Sequence, residues 1–84
     1  MDMKLLAVFN EIYQTRNVSR AADNLGLPQT SVSLALGRLR RLFNDPLFVR
    51  TGAGMLPTPR AAMLVPQLRQ ALELLQSATQ QPSE

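Results

Sequence analysis

The side chains that enzymes use most often for nucleophilic and acid–base chemistry are missing from this sequence. Its 84 residues include no cysteine and no histidine, which removes thiolate nucleophiles, disulfides, the commonest general base and the commonest metal ligand. The six carboxylates are scattered, and no two have a helical spacing that would pair them; they are Asp2, Glu11, Asp23, Asp45, Glu73 and Glu84. We therefore expect no enzymatic activity, no metal site and no cofactor.

The arginines indicate a different chemistry. The formal net charge is +3, and Lys4 is the only cation that is not an arginine. Between Pro28 and Arg60 there are five arginines and one acid, a local charge of +4 against −1 for the remainder; the arginines are Arg38, Arg40, Arg41, Arg50 and Arg60. Such an excess suits a polyanion through phosphate neutralisation, although charge alone favours a solvated basic surface.

Three helices are predicted in the first half of the chain. The first covers residues 2–15, with Asp2 as N-cap and one apolar face made of Leu5, Leu6, Val8, Phe9, Ile12 and Tyr13. The second is short: it begins at Ser19 as N-cap and ends before Gly26, which suits a left-handed helix end. The third runs from Gln29 to Phe43, with Asn44 as its C-cap.

The third helix has two different faces. The apolar face, expected in the core, holds Val32, Ala35, Leu36, Leu39, Leu42 and Phe43, whereas the opposite face holds Gln29, Thr30, Ser33, Gly37, Arg40 and Arg41, with Leu34 at its margin. A short helix, a tight turn and a longer helix with a polar outer face predict a helix-turn-helix. In that motif the N-terminal end of the second helix enters the major groove, where glutamine, threonine and serine can bond to bases. Gly37 would let the backbone approach a phosphate, or it is a tolerated surface glycine, and the two interpretations are equally favoured.

A small hairpin and a long helix complete the chain. The apolar runs 47–50 and 55–57 flank a four-residue tip, 51–54, that contains two glycines. Thr58 and Pro59 then suit the start of a helix over 59–79, which Pro66 should bend or deprive of one backbone bond. Its apolar stripe either packs on its own domain or forms a dimer; the stripe comprises Ala61, Leu64, Val65, Leu68, Ala71, Leu72 and Leu75.

Several of these segments together resemble one protein family, the LysR-type transcriptional regulators. Residues 18–27 resemble the family's helix-turn segment, residues 29–33 the start of its recognition helix, and Leu39 its apolar anchor. Residues 47–50 resemble its wing strand, and residues 57–61 resemble the start of its linker helix. The sequence of residues 44–51 is most similar to the branch of nodulation and aromatic-degradation regulators. The chain departs from the family pattern at Pro28, where a capping Ser or Thr is usual, at Thr30, where Pro or Ser is usual, and at Arg40, where many members carry an acid.

The resemblance implies a mostly α fold, a winged helix-turn-helix of three helices and a two-stranded wing over 1–57. A linker helix over 58–79 and a frayed tail over 80–84 would follow. It implies sequence-specific binding to double-stranded DNA through Ser19, Arg20, Gln29, Thr30, Ser33, Leu34, Gly37, Arg41, Arg50 and Thr51. Homodimerisation on a dyad-symmetric operator would use Ala61, Leu64, Val65, Leu68, Leu72 and Leu75.

The resemblance also implies features of the whole regulator. A larger effector-binding domain, absent from this chain, would bind a small molecule, and the full-length protein would be a tetramer. We expect a cytoplasmic protein, because no apolar run approaches the ~20 residues of a membrane span and no signal-peptide pattern begins the chain. The alternative is a winged helix that serves protein–protein assembly, with an incidental basic face.

Overall fold

The computed structural model describes residues 2–79, which form four helices and one two-stranded antiparallel sheet. In chain order the elements are α1 (Met3–Thr15), α2 (Val18–Leu25), α3 (Gln29–Phe43), β1 (Phe48–Thr51), β2 (Gly54–Pro57) and α4 (Pro59–Thr79). This order confirms the predicted mostly α winged helix-turn-helix followed by a long C-terminal helix. The tail predicted over 80–84 lies outside the described residues.

Most helix ends lie where the capping residues predict them. The Asp2 carboxylate accepts the Leu5 backbone N–H at 2.9 Å and caps α1. Gly26 ends α2 in the left-handed conformation at φ 66°, and Asn44 ends α3 in the same conformation at φ 51°. The Thr58 hydroxyl accepts a backbone N–H from the first turn of α4 at 3.1 Å, as expected of a capping threonine before Pro59.

The predicted start of α2 is wrong. The helix begins at Val18, and its N-cap is Asn17, whose side-chain oxygen accepts the Arg20 N–H at 2.9 Å. Ser19 is therefore the second helical residue and not the cap. Asparagine and serine are about equally good N-caps, and local sequence alone does not choose between two that are two positions apart.

One core joins all the helices to the wing. Phe9 of α1 and Phe48 of β1 are fully buried, with their ring centroids 5.4 Å apart. Ala61, Val65 and Leu68 of α4 are buried in the same core. These three residues were predicted to contribute to a dimer, and in this chain they pack against their own domain.

The predicted core face of α3 is correct except at its end. Val32, Ala35, Leu36 and Leu39 are buried, whereas Leu42 is 56% exposed. Leu42 lies at the edge of the apolar arc and in the last turn of the helix, where no other element covers it.

The wing is shorter at its tip than predicted. Thr51 pairs with Gly54 in the strand register, so that only Gly52 and Ala53 connect β1 to β2. Leu47 is not part of the strand, because it has a left-handed backbone at φ 64° and a fully buried side chain.

The C-terminal helix α4 continues through Pro66, whose side chain is exposed. An exposed proline on one side of a helix is compatible with continued pairing on the other. None of the helices between Asp2 and Thr79 is long and apolar enough to cross a membrane.

Candidate nucleic-acid interface

The turn between α2 and α3 holds the two helices at close range. The Leu27 N–H donates to the Ala22 carbonyl at 3.0 Å, around the left-handed Gly26. Ala21 and Ala22 are buried at the crossing, as predicted from their small size. Three residues therefore suffice to turn the chain, and the buried face of α3 fixes which of its side chains point outward.

The outer face of α3 presents the predicted base-reading residues. Gln29, Thr30 and Ser33 are exposed on the side opposite the buried Val32. Together with Leu34 they line one shallow surface depression. These side chains offer amide and hydroxyl groups of the kinds that bond to base edges in the major groove.

The first turn of α3 has no side-chain cap. Pro28 precedes the helix with an extended backbone, and its carbonyl accepts the N–H groups of Ser31 and Val32. The pyrrolidine ring carries no hydroxyl, and so this turn lacks the Ser or Thr cap of the family pattern. An uncapped helix N-terminus favours anionic groups, because its amides and the helix dipole carry partial positive charge.

A cleft of about 150 Å³ brings residues of α2, α3 and both strands of the wing together. Ser19 of α2, Gln29 of α3 and Arg50 of β1 line it, with Arg16 and Asn17 from the α1–α2 junction. The structure thus groups three of the predicted DNA-binding residues between the helix-turn-helix and the wing. A cleft with arginine and hydroxyl side chains suits a phosphate group.

The wing is attached to the α1–α2 junction by a contact that the sequence does not reveal. The Met55 N–H donates to the Arg16 carbonyl at 2.9 Å. Gly54 has φ 111°, and a Cβ there would lie 2.6 Å from the same carbonyl oxygen. Arg16 has a left-handed backbone at φ 56°, and its guanidinium lies 4.7 Å from the centre of the Tyr13 ring. The glycine at 54 is the only signal of this contact in the sequence.

Arg40 has a structural role, although its helical position placed it among the polar residues of the outer face. Its guanidinium donates to the Pro46 carbonyl and to the Phe48 carbonyl, both at 2.8 Å. The side chain is partly buried between α3 and the start of β1. The helical wheel correctly gave the direction of the Arg40 side chain. The two carbonyls that accept its hydrogen bonds, however, belong to residues that follow α3 in the chain.

A second set of hydrogen bonds joins the end of α3 to the start of α4. The Asp45 carboxylate accepts the Leu47 N–H at 2.9 Å and the Thr58 hydroxyl at 2.7 Å. The Thr58 hydrogen bond, followed by the Leu47 N–H and the nearby charge of Arg60, lowers the pKa of Asp45 despite partial desolvation. The charged carboxylate thus contributes one of the hydrogen bonds to the left-handed backbone at Leu47.

The other predicted contact residues lie around this surface. Arg20 and Arg41 are exposed, and Arg41 lies beside Gly37, 3.8 Å from the position of a Cβ built there. The Thr51 hydroxyl donates to the Gly54 carbonyl at 2.9 Å and stabilises the wing tip. Only Arg20, Gly37, Arg41 and Thr51 stand outside the cleft and the depression described above.

Known proteins resemble this chain over most of its length. The model of the family described as "Bacterial regulatory helix-turn-helix protein, lysR family" matches residues 3–62. The transcriptional activator NahR of Pseudomonas putida is 51% identical over 80 residues, 95% of this chain and 27% of that protein. Nodulation protein D 1 of Rhizobium leguminosarum bv. phaseoli is 43% identical over 72 residues, 86% of this chain and 23% of that protein. The chain thus spans about a quarter of the length of the curated relatives it matches.

A solved structure agrees with the fold. The crystal structure of the probable transcriptional regulator PA0477 from Pseudomonas aeruginosa superposes with a TM-score of 0.86 and 40% identity, covering all of this chain and 29% of that one. The relatives NahR and Nodulation protein D 1 also confirm the branch that the form of residues 44–51 predicted. The chain therefore belongs to the LysR family of bacterial regulatory helix-turn-helix proteins.

Proposed function

We propose that this chain binds double-stranded DNA sequence-specifically, as the DNA-binding part of a dimeric LysR-type transcription regulator. Helix α3 enters the major groove with its N-terminal end first. The wing lies against the adjacent backbone and minor groove, with Arg50 at a phosphate.

The outer face of α3 carries this proposal. Its buried face fixes the helix in the core, so that Gln29, Thr30 and Ser33 are exposed together without competing intramolecular contacts of their own in the described part of the chain. Arg50 and Ser19 lie across the neighbouring cleft from Gln29. A base-reading surface is thus adjacent to a phosphate-binding one, an arrangement typical of sequence-specific DNA recognition.

Selection from random duplexes tests the proposal. We expect one half-site sequence to be recovered, and Gln29→Ala should then reduce discrimination between that site and single-base variants by about 1 to 3 kcal/mol. A loss of the same size on unrelated DNA would contradict a base-reading role for Gln29. Failure to recover any sequence would contradict the proposed function itself.

Salt dependence separates DNA binding from the alternative of a protein-assembly module. For DNA binding, the logarithm of affinity should fall linearly with the logarithm of salt concentration, by about 0.9 per contacted phosphate. Arg50→Ala should weaken binding to all duplexes alike and make this slope shallower by about one contact. An assembly module would show no duplex binding to titrate.

We propose that dimerisation uses a different side of α4 from the one the stripe predicted. Met63 is 74% exposed and Leu74 is 64% exposed. Leu75 is also exposed, while Leu64 and Leu72 are partly buried beside the core. On a helical wheel Met63 and Leu74 lie about 20° apart, opposite the buried Ala61. Pairing with the same side of a second copy would remove this apolar surface from water.

Sedimentation tests the dimer. Leu74→Asp should yield monomers, because it places a charge in the proposed interface. Gln76→Asp is the control, because Gln76 is exposed on the same helix but lies about 160° around it from Leu74. A dimer that survives Leu74→Asp would contradict this interface, whereas Leu68→Asp would not be informative, since Leu68 is part of the domain's own core.

We further propose how this chain contributes to a whole regulator. A two-fold dimer would bind a dyad-symmetric operator, and the relatives are about four times longer than the segment they share with this chain. A small-molecule effector would bind the additional part of such a protein, which would also support a tetramer. DNA binding by this chain requires no cofactor and no catalysis in this proposal, and it takes place in the bacterial cytoplasm because chromosomal DNA is the partner.

A further inference from the structure

Leu34 is an apolar side chain on the polar outer face of the recognition helix. It is 70% exposed, although its neighbours Ala35 and Leu36 are buried. It lines the same shallow depression as Gln29, Thr30 and Ser33. This leucine contributes little to the packing of the fold, because most of its surface contacts no other part of the described chain.

The surroundings of Leu34 indicate which partner would cover it. Arg38 and Arg41 follow it by one and two helical turns and are both exposed, so that the surface around it is cationic. The polar groups beside it suit base edges. An apolar protein partner would not be matched by such surroundings, whereas the major groove of DNA combines phosphates, polar base edges and one apolar group, the 5-methyl of thymine.

We propose that Leu34 is a specificity-determining residue that contacts a thymine methyl group in each half-site. This inference rests on the proposed function and adds to it a preference for thymine at one position of each half-site. Removing the methyl should weaken binding about fourfold per half-site, which corresponds to about 0.8 kcal/mol, the contribution of one buried methyl group.

Deoxyuridine provides the test, because it differs from thymidine only by the missing 5-methyl. Each thymine of the selected operator is replaced in turn by uracil, and the affinity of the wild-type domain is measured at constant salt. We expect one position per half-site to lose about fourfold. At that position Leu34→Ala should show no uracil penalty, and Leu34→Met, which keeps an apolar side chain of similar volume, should restore it.

Leu42→Ala is the matched control. Leu42 is also an exposed leucine of α3, but it lies eight residues further along, about 12 Å from Leu34 along the helix axis. This variant should keep the full uracil penalty. The inference is overturned if the selected half-site contains no thymine, if wild type tolerates uracil everywhere, or if Leu34→Ala keeps the wild-type penalty. In each of these cases specific DNA binding itself would be intact, which distinguishes this failure from that of the proposed function.

Discussion

Replacing Gly37 by alanine should stabilise the free domain and weaken its binding to DNA. A glycine inside a helix destabilises it by about 0.8 to 1.0 kcal/mol relative to alanine. In this structure a Cβ at position 37 would meet only the tip of the Arg41 side chain, at 3.8 Å, which is an ordinary contact. Nothing within the described chain therefore requires glycine here, and Gly37→Ala should raise the melting temperature by about 4 to 8 °C.

The same methyl group should interfere with DNA. Gly37 lies on the outer face of α3, two turns after Gln29, where the helix backbone would approach a phosphate. Adding one carbon to a close contact costs about 1 to 3 kcal/mol, which corresponds to a roughly 5- to 150-fold loss of affinity. Because the contact is with the backbone of DNA, the loss should be the same on the selected operator and on a scrambled duplex.

Thermal unfolding followed by circular dichroism and fluorescence anisotropy on both duplexes measure the two effects in one variant. A more stable variant with unchanged affinity would refute the backbone approach and leave Gly37 as a tolerated surface glycine. A double-mutant cycle with Arg41→Ala separates an indirect effect: if Gly37→Ala acts only by displacing Arg41, it should cost nothing further in the Arg41→Ala background.

Two other predictions concern the contacts that hold the wing and the last helix. Gly54→Ala should destabilise the domain by roughly 2 to 3 kcal/mol, because the new Cβ would collide with the Arg16 carbonyl and the backbone is left-handed. Gly52→Ala is the control, since the space around its Cβ is open, and it should change the free energy of unfolding in urea by less than ~0.5 kcal/mol. Equal effects of the two substitutions would contradict the contact. The lowered pKa of Asp45 means that its charged form stabilises the fold above about pH 4 and that this contribution is lost as the pH falls through the folded-state value. Wild type should therefore lose more stability than Asp45→Asn between about pH 5 and pH 2, and Thr58→Val should reduce that difference; parallel pH profiles would disprove the hydrogen-bond arrangement.

Features that depend on a few neighbouring residues were predictable from the sequence. Asp2, Gly26, Asn44 and Thr58 mark helix ends because capping is decided within one turn. The outer face of α3 was predictable for a related reason, since Gln29 and its polar neighbours repeat with the helical period. These local rules were sufficient for the helix-turn-helix and for the exposed polar face of α3.

Features that depend on distant segments were not predictable. Periodicity showed that α4 has an apolar face, but not that α4 would pack against α1 or that Ala61, Val65 and Leu68 would lie in the core. The two carbonyls that hold Arg40, and the carbonyl that excludes a side chain at Gly54, belong to segments placed by tertiary packing. No residue type in the sequence identifies such a contact, because every residue has a backbone carbonyl.

The same tertiary contacts fix the distance between the recognition helix and the wing. Arg40 bonds α3 to the start of β1, and the Arg16 carbonyl bonds the α1–α2 junction to β2. In the proposed complex, α3 and the wing would therefore approach DNA at a set separation, one for each groove. Some operator sequences have a natural groove width that matches that separation, and these need no deformation. Other sequences must be deformed on binding, at an elastic cost that depends on base pairs the protein never contacts. We expect the domain to discriminate partly by the shape of DNA. A-tracts placed beneath the wing should change its affinity without altering any contacted base.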